Sequence, residues 1–136
     1  MTAAEIGSTF ELGLVETLTR TQLVQYAGAS GDYNPVHSDE VYARQVAGDP
    51  TIFAPGLLTM GMTARLITDR FGDGSLRRFS FRFRDRVWPG DTLTATGTVT
   101  AVTGAEVEIA LSVTNQAGVV VATGSALART SSADNL

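Results

Sequence analysis

The second half of the chain alternates. In LRRFSFRFR, residues 76–84, Phe79, Phe81 and Phe83 oppose Arg78, Ser80, Arg82 and Arg84 with a strict period of two, which predicts a strand with one wet face. DTLTATGTVTAV, residues 91–102, sets Leu93, Ala95, Val99 and Ala101 against Thr94, Thr96, Thr98 and Thr100. After a turn at Gly104, EVEIALSVTN sets Val107, Ile109, Leu111 and Val113 against Glu106, Glu108, Ser112 and Thr114. Gln116-Ala117-Gly118 then turns the chain into VVVATGSALAR, a fourth late strand.

The first half changes period. Thr9 to Leu18 alternates loosely, with Phe10, Leu12 and Leu14 on one face, and predicts a first strand. Thr19 with Gln22 matches a capping box, and Leu23, Val24 and Ala27 supply the apolar stripe of a helix ended by Gly28 and Gly31. Ser38 is expected to cap a short second helix with Asp39 and Glu40 in its first turn and Gly48 at its C-terminus. FAPGLLTMGMTARLITDRF, residues 53–71, is apolar around most of a helical circumference, which predicts a buried helix with Pro55 at its first position.

A sheet polar on one side needs one large partner for its apolar side, and the helix from about Gly56 to Phe71 is the only candidate of sufficient size. The pattern therefore predicts an α+β hot-dog fold, an antiparallel β-sheet wrapped around a long central helix. A single domain is expected over residues 1–130, with residues 131–136 as a disordered C-terminal tail. Open sheet edges and an incompletely covered helix favour dimerisation.

Composition narrows the chemistry. With 10 basic and 14 acidic residues, net charge −4, there is no massed positive face for nucleic acid. No apolar run is long enough to span a membrane and no leader pattern opens the chain, so a cytoplasmic protein is expected. The absence of cysteine removes disulfides, thiolate nucleophiles and cysteine-based metal sites, and a single histidine removes a His-rich one. Every basic residue is Arg, so no Schiff-base lysine exists.

GDYNPVHSDEVYA, residues 31–43, contains that one histidine. An Asn-Pro turn can fold Asp32 and His37 together as an acid/base pair. The same residues are ordinary turn formers, so on spacing alone a structural loop, with Asp32 in an Asx turn and His37 at a helix entry, stands beside the catalytic reading. A serine triad lacks its G-x-S-x-G, and GDGS at 72–75 follows a helix, so it reads as a turn rather than a phosphate cradle. The amide of Gly56, in the first turn of the buried helix, is a possible oxyanion donor or simply part of a Pro-Gly turn. The arginines at 78, 82, 84 and 86 read as a solvated face or as contacts for the phosphates of an anionic carrier, and Trp88-Pro89-Gly90-Asp91 as a packed turn.

Three blocks, YAGASGDYNPVHSDEVYA at 26–43, APGLLTMG at 54–61 and FRFRDRVWPGDTLTATGTV at 81–99, resemble in order the MaoC-like family of (R)-specific enoyl-thioester hydratases and dehydratases. The first block carries the specific hydratase motif. The resemblance implies reversible syn hydration of trans-2-enoyl thioesters to (R)-3-hydroxyacyl thioesters, in fatty-acid, polyketide or steroid side-chain metabolism. It implies that Asp32 and His37 activate one water, that Asn34 shapes the turn, that the Gly56 N–H holds the thioester carbonyl oxygen, and that Leu57 lies near the thioester. No cofactor is implied. The implied partners are an acyl-CoA or acyl-ACP (acyl carrier protein) substrate and a second hot-dog subunit, as a homodimer or a heterodimer. The family commonly has His-Gly where this chain has Pro55-Gly56, which leaves the Gly56 donor in place. The rival readings are an acyl-CoA thioesterase, disfavoured because Asp69 lies at the far end of the central helix, and a subunit that supports a catalytic partner.

Overall fold

The computed structural model describes residues 4–130. The expected tail at 131–136 lies outside them. β1 (Thr9–Val15) leads into α1 (Arg20–Ser30), a single 3-10 turn (Pro35–His37), α2 (Glu40–Gln45) and α3 (Gly56–Phe71). Four strands follow, β2 (Leu76–Phe83), β3 (Leu93–Thr103), β4 (Glu106–Thr114) and β5 (Val120–Arg129). They pair antiparallel throughout, in the spatial order β1-β3-β4-β5-β2, which leaves β1 and β2 as edges. The α+β hot-dog arrangement and all five strands are as expected.

Alternation explains the layers. Leu93, Ala95 and Val99 of β3 and Val107, Ile109, Leu111 and Val113 of β4 are buried. They form one core with Leu66, Ile67 and Phe71 of α3, which packs against β1, β2, β3 and β5. Thr19 caps α1 with the full capping box, since its hydroxyl accepts from the Gln22 N–H while the Gln22 side chain accepts from the Thr19 N–H.

Four local expectations change. Gly28 lies inside α1, which ends only at Gly31, where φ is +75°. Val24 is 48% exposed, because α1 buries only the line through Leu23 and Ala27. Asp39 rather than Ser38 caps α2, its carboxylate accepting from the N–H groups of Val41 and Tyr42; Ser38 is taken up in closing the preceding 3-10 turn. Pro55 precedes α3 instead of opening it, with ψ at 134°, so that Gly56 is the first helical residue.

α3 is also less buried than its composition suggests. Thr59, Thr63, Leu66, Ile67 and Phe71 are buried, whereas Leu57, Gly61, Arg65 and Asp69 form an exposed line at every fourth position. A single sheet has one apolar face and covers one side of a helix. No helix of the described residues is long and apolar enough to cross a membrane. Ile67 is fully buried in this core, and replacing it by Ala is expected to lower unfolding free energy by about 2–5 kcal/mol, against about 1 kcal/mol for Thr19→Ala. Denaturant unfolding of the two variants checks the ranking.

Candidate active site

The segment between α1 and α2 is built from short polar contacts. Asp32 Oδ1 accepts from the Asn34 N–H at 3.3 Å, an Asx turn, and Asn34 Oδ1 accepts from the Val36 N–H at 3.2 Å, capping the 3-10 turn. Pro35 opens that turn, where its missing N–H is not needed, and His37 closes it. The turn aims the His37 ring inward, so that its side chain is only 9% exposed while that of Asp32 is 44% exposed.

Two contacts define the imidazole. Nδ1 lies 2.6 Å from the carbonyl oxygen of Phe53. A carbonyl only accepts, so Nδ1 carries the hydrogen and the neutral ring presents the Nε2 lone pair. Nε2 faces Asp32 Oδ2 at 3.6 Å, beyond a direct hydrogen bond. Two acceptors thus converge on one point, an arrangement suited to a donor with two hydrogens. Asp32 and His37 are brought together as expected, and Asn34 shapes their turn.

Phe53 belongs to the stretch that enters α3. Its N–H donates to the Val36 carbonyl at 3.1 Å, and the Ala54 N–H donates to the Val87 carbonyl at 2.8 Å. These bonds stitch the loop to the helix start and to the segment after β2. Among the described residues the Gly56 N–H has no acceptor. A Cβ on Gly56 would stand 2.8–2.9 Å from the tip of the Phe83 ring, so a larger residue there would have to displace that half-exposed side chain.

A cavity of about 430 Å³ lies beside this helix start, lined by Gly56, Thr59, Phe53, Phe83, Arg84 and Arg86 among others. Asp32, Asn34, His37 and Leu57 do not line it; His37 is linked to it through Phe53, whose ring it meets edge-on at 4.8 Å. Leu57 points away, 59% exposed on the uncovered side of α3. Thr59 is buried with an unpartnered hydroxyl, while the Thr63 hydroxyl is satisfied by the Thr59 carbonyl at 2.7 Å. Arg78 pairs with Glu108 at 3.2 Å and Arg84 donates to the Thr123 hydroxyl at 3.2 Å, so only part of the arginine stripe is a solvated face. Trp88–Asp91 is the packed turn expected, closed by the Asp91 carboxylate on the Trp88 N–H.

Sequence reasoning did not single out Phe53, Asp49 or Thr59. The Phe53 contribution is a backbone carbonyl, which no side-chain pattern reveals. No group of three or more His, Asp or Glu residues that could hold a metal occurs among the described residues.

Residues 2–121 match the model of the MaoC-like domain. The chain belongs to that family. It is 36% identical over 91 residues to the (R)-specific enoyl-CoA hydratase of Rhodospirillum rubrum, an alignment covering 65% of this chain and 62% of that protein. The first two curated matches cover 23% and 9% of their proteins, so this MaoC-like chain spans less than two thirds of the relatives it matches. Its fold superposes with a TM-score of 0.84 on the (R)-hydratase from A. caviae involved in PHA biosynthesis, at 24% identity over 96% of this chain and 99% of that one. It superposes on a chain of the ChsH1–ChsH2 complex from Mycobacterium tuberculosis at 0.82, with 25% identity, 94% of this chain and 99% of that one covered.

The loop has one further tether. Glu40, at the start of α2, accepts from Arg20 at 2.6 Å and from the Thr51 hydroxyl at 2.7 Å. The Arg20 hydrogen bond, then that of Thr51, holds its carboxyl below the ordinary value of 4.5. A depressed folded pKa contributes stability above the unfolded value that is lost as pH falls through the folded one. Thermal unfolding is therefore expected to find the MaoC-like chain more stable than its Glu40→Gln variant above pH 4.5, the two melting curves converging as pH drops below it.

Proposed function

We propose that this chain hydrates trans-2-enoyl thioesters to (R)-3-hydroxyacyl thioesters and catalyses the reverse dehydration, with Asp32 and His37 as the acid/base pair. The observation that carries this reading is the convergence of Nε2 and Oδ2 at 3.6 Å with Nδ1 committed to the Phe53 carbonyl. A water at roughly 2.8 Å from each acceptor donates one hydrogen to Asp32 and one to His37, leaving its oxygen free to attack.

In the forward direction the water oxygen bonds to Cβ as His37 Nε2 takes its proton. The electron pair of the Cα=Cβ bond moves onto the thioester carbonyl oxygen, where the Gly56 N–H meets the developing charge at the positive end of α3. A proton returned from the Asp32–His37 pair to Cα restores the carbonyl. Both additions come from one side, which gives syn stereochemistry. The donor at Gly56 is worth about 3 kcal/mol in such sites, and positioned proton transfer about 10²–10⁴ in rate.

The cavity lined by Gly56 and Phe83 supports acyl binding, and Arg84 at the same cavity supports an anionic carrier, coenzyme A or an acyl carrier protein. Leu57 is better suited to a subunit contact than to the thioester, since it is exposed outside the cavity wall. The line Leu57–Gly61 on α3 supports a second hot-dog subunit, as a homodimer or, by analogy with the ChsH1–ChsH2 neighbour, a heterodimer. The reaction needs no cofactor, and a cytoplasmic setting fits a coenzyme A pool. Asp69, exposed at the far end of α3, gives no support to the thioesterase reading.

Crotonyl-CoA and longer enoyl-CoAs are expected to lose enoyl absorbance with the purified chain, without release of free thiol. His37→Ala and Asp32→Asn are each expected to lower kcat by about 10²–10⁴. Full activity in both variants would overturn the assignment, and activity appearing only after addition of another hot-dog chain would make this a subunit of a heteromer.

A further inference from the structure

We propose that Asp49 and Arg86 are positioning residues that hold the His37 imidazole in one tautomer by clamping Phe53. The Asp49 carboxylate is 6% exposed and pairs with the Arg86 guanidinium, its only side-chain partner among the described residues. The same guanidinium lies over the Phe53 ring, 4.7 Å from its centroid. That ring is held in turn by the edge of Trp88 at 6.0 Å and meets the His37 ring at 4.8 Å, the planes 81° apart. Phe53 closes the chain of contacts through its carbonyl, which accepts from His37 Nδ1 at 2.6 Å.

Each link bears on the tautomer. The Nε2 lone pair faces Asp32 only while Nδ1 keeps its hydrogen, and Nδ1 keeps it only while the Phe53 carbonyl stays in line. The Ala54 N–H shares the peptide plane of the Phe53 carbonyl, so its bond to Val87 and the bond of the Phe53 N–H to Val36 set that plane, and the Arg86 guanidinium holds the ring that rides on it. Only the Asp49 end of this ion pair is buried, the Arg86 side chain being 51% exposed, and the desolvation of that carboxylate offsets part of the attraction, so the pair is better suited to specifying geometry than to adding stability. The other buried carboxylate, Asp91, is accounted for by the Trp88 N–H and the Gln116 amide, which close a turn. Asp49 closes no turn; its carboxylate holds only Arg86.

The catalytic consequence rests on the hydratase reading, so the test has a readout that needs no substrate. The chain has one histidine, and a ¹⁵N spectrum of the labelled full chain reports its two ring nitrogens without overlap. In the wild type we expect a protonated Nδ1 and a bare Nε2 in the neutral ring. The double variant Asp49→Asn/Arg86→Met leaves no unpaired buried charge yet removes the guanidinium from Phe53; its ring shifts are expected to move toward a tautomer average. Its kcat on crotonyl-CoA is expected to fall about 10- to 100-fold with KM within about twofold. Arg86→Lys, which retains the charge opposite Asp49 without a planar group over the ring, is expected to fall between. Ring shifts in the double variant identical to the wild type would overturn the proposal whatever the activity does, and a raised KM with those unmoved shifts would assign Arg86 to the carrier. Shifts that follow the variants in a chain inactive on enoyl thioesters would uphold the positioning and sink the hydratase reading.

Discussion

The apolar face of the five-stranded sheet has to be covered, and α3 is the element that covers it. Leu66, Ile67 and Phe71 enter the same core as Leu93, Ile109 and Val113, and burial of such side chains is worth about 1.5–3 kcal/mol each. The alternation of β3 and β4 would otherwise leave a continuous hydrophobic surface in water. Docking α3 there also fixes where its first turn lies, because a sixteen-residue helix packed at its C-terminal half has no freedom left at its N-terminus.

From that placement the geometry of the site follows outward. Gly56 is driven against the tip of the Phe83 ring at the end of the edge strand β2. The residues just before it, Ile52, Ala54 and Pro55, are buried and draw the backbone between the Asn-Pro loop and the segment after β2. Phe53 is therefore presented to the loop, its N–H on Val36 and its carbonyl on His37, while the Ala54 N–H meets Val87 of the segment after β2. The histidine is oriented by a main-chain group whose path follows from core packing and whose side chain lies under the Arg86 guanidinium.

Much of this was legible from residue order because the signals are local. A capping box at Thr19, a period of two in each late strand, and an apolar run of helical length each carry their own physical reason, and each is observed. The proximity of Asp32 and His37 was legible for the same reason, since five residues around a proline turn have few ways to fold. The misreadings share a different cause. Which side of α3 is wet, and that Leu57 faces outward, depends on how many faces the sheet can cover, which is a property of the assembly. The competition between Ser38 and Asp39 for the α2 cap turned on a 3-10 turn that consumed Ser38 first. The Phe53 carbonyl and the Asp49–Arg86 pair join positions 16 and 37 residues apart along the chain, through a backbone atom and a salt bridge that periodicity does not encode.

Core and loop also differ in the size of the energies that hold them. The sheet and α3 are joined by many buried apolar contacts, whereas the loop from Gly31 to Asp39 is held by single hydrogen bonds, each worth about 0.5–1.5 kcal/mol net. Loss of one such bond leaves the fold intact and changes where a side chain points. A displacement of about 1 Å at reacting groups costs far more in rate than the broken bond costs in stability. The contacts that matter most to the proposed chemistry are thus among the least important to folding. The loop's ties to the rigid part, Arg20 and Thr51 on Glu40, Val36 on Phe53 and Phe53 on His37, are spread around its circumference, so that several weak bonds confine it where one would not.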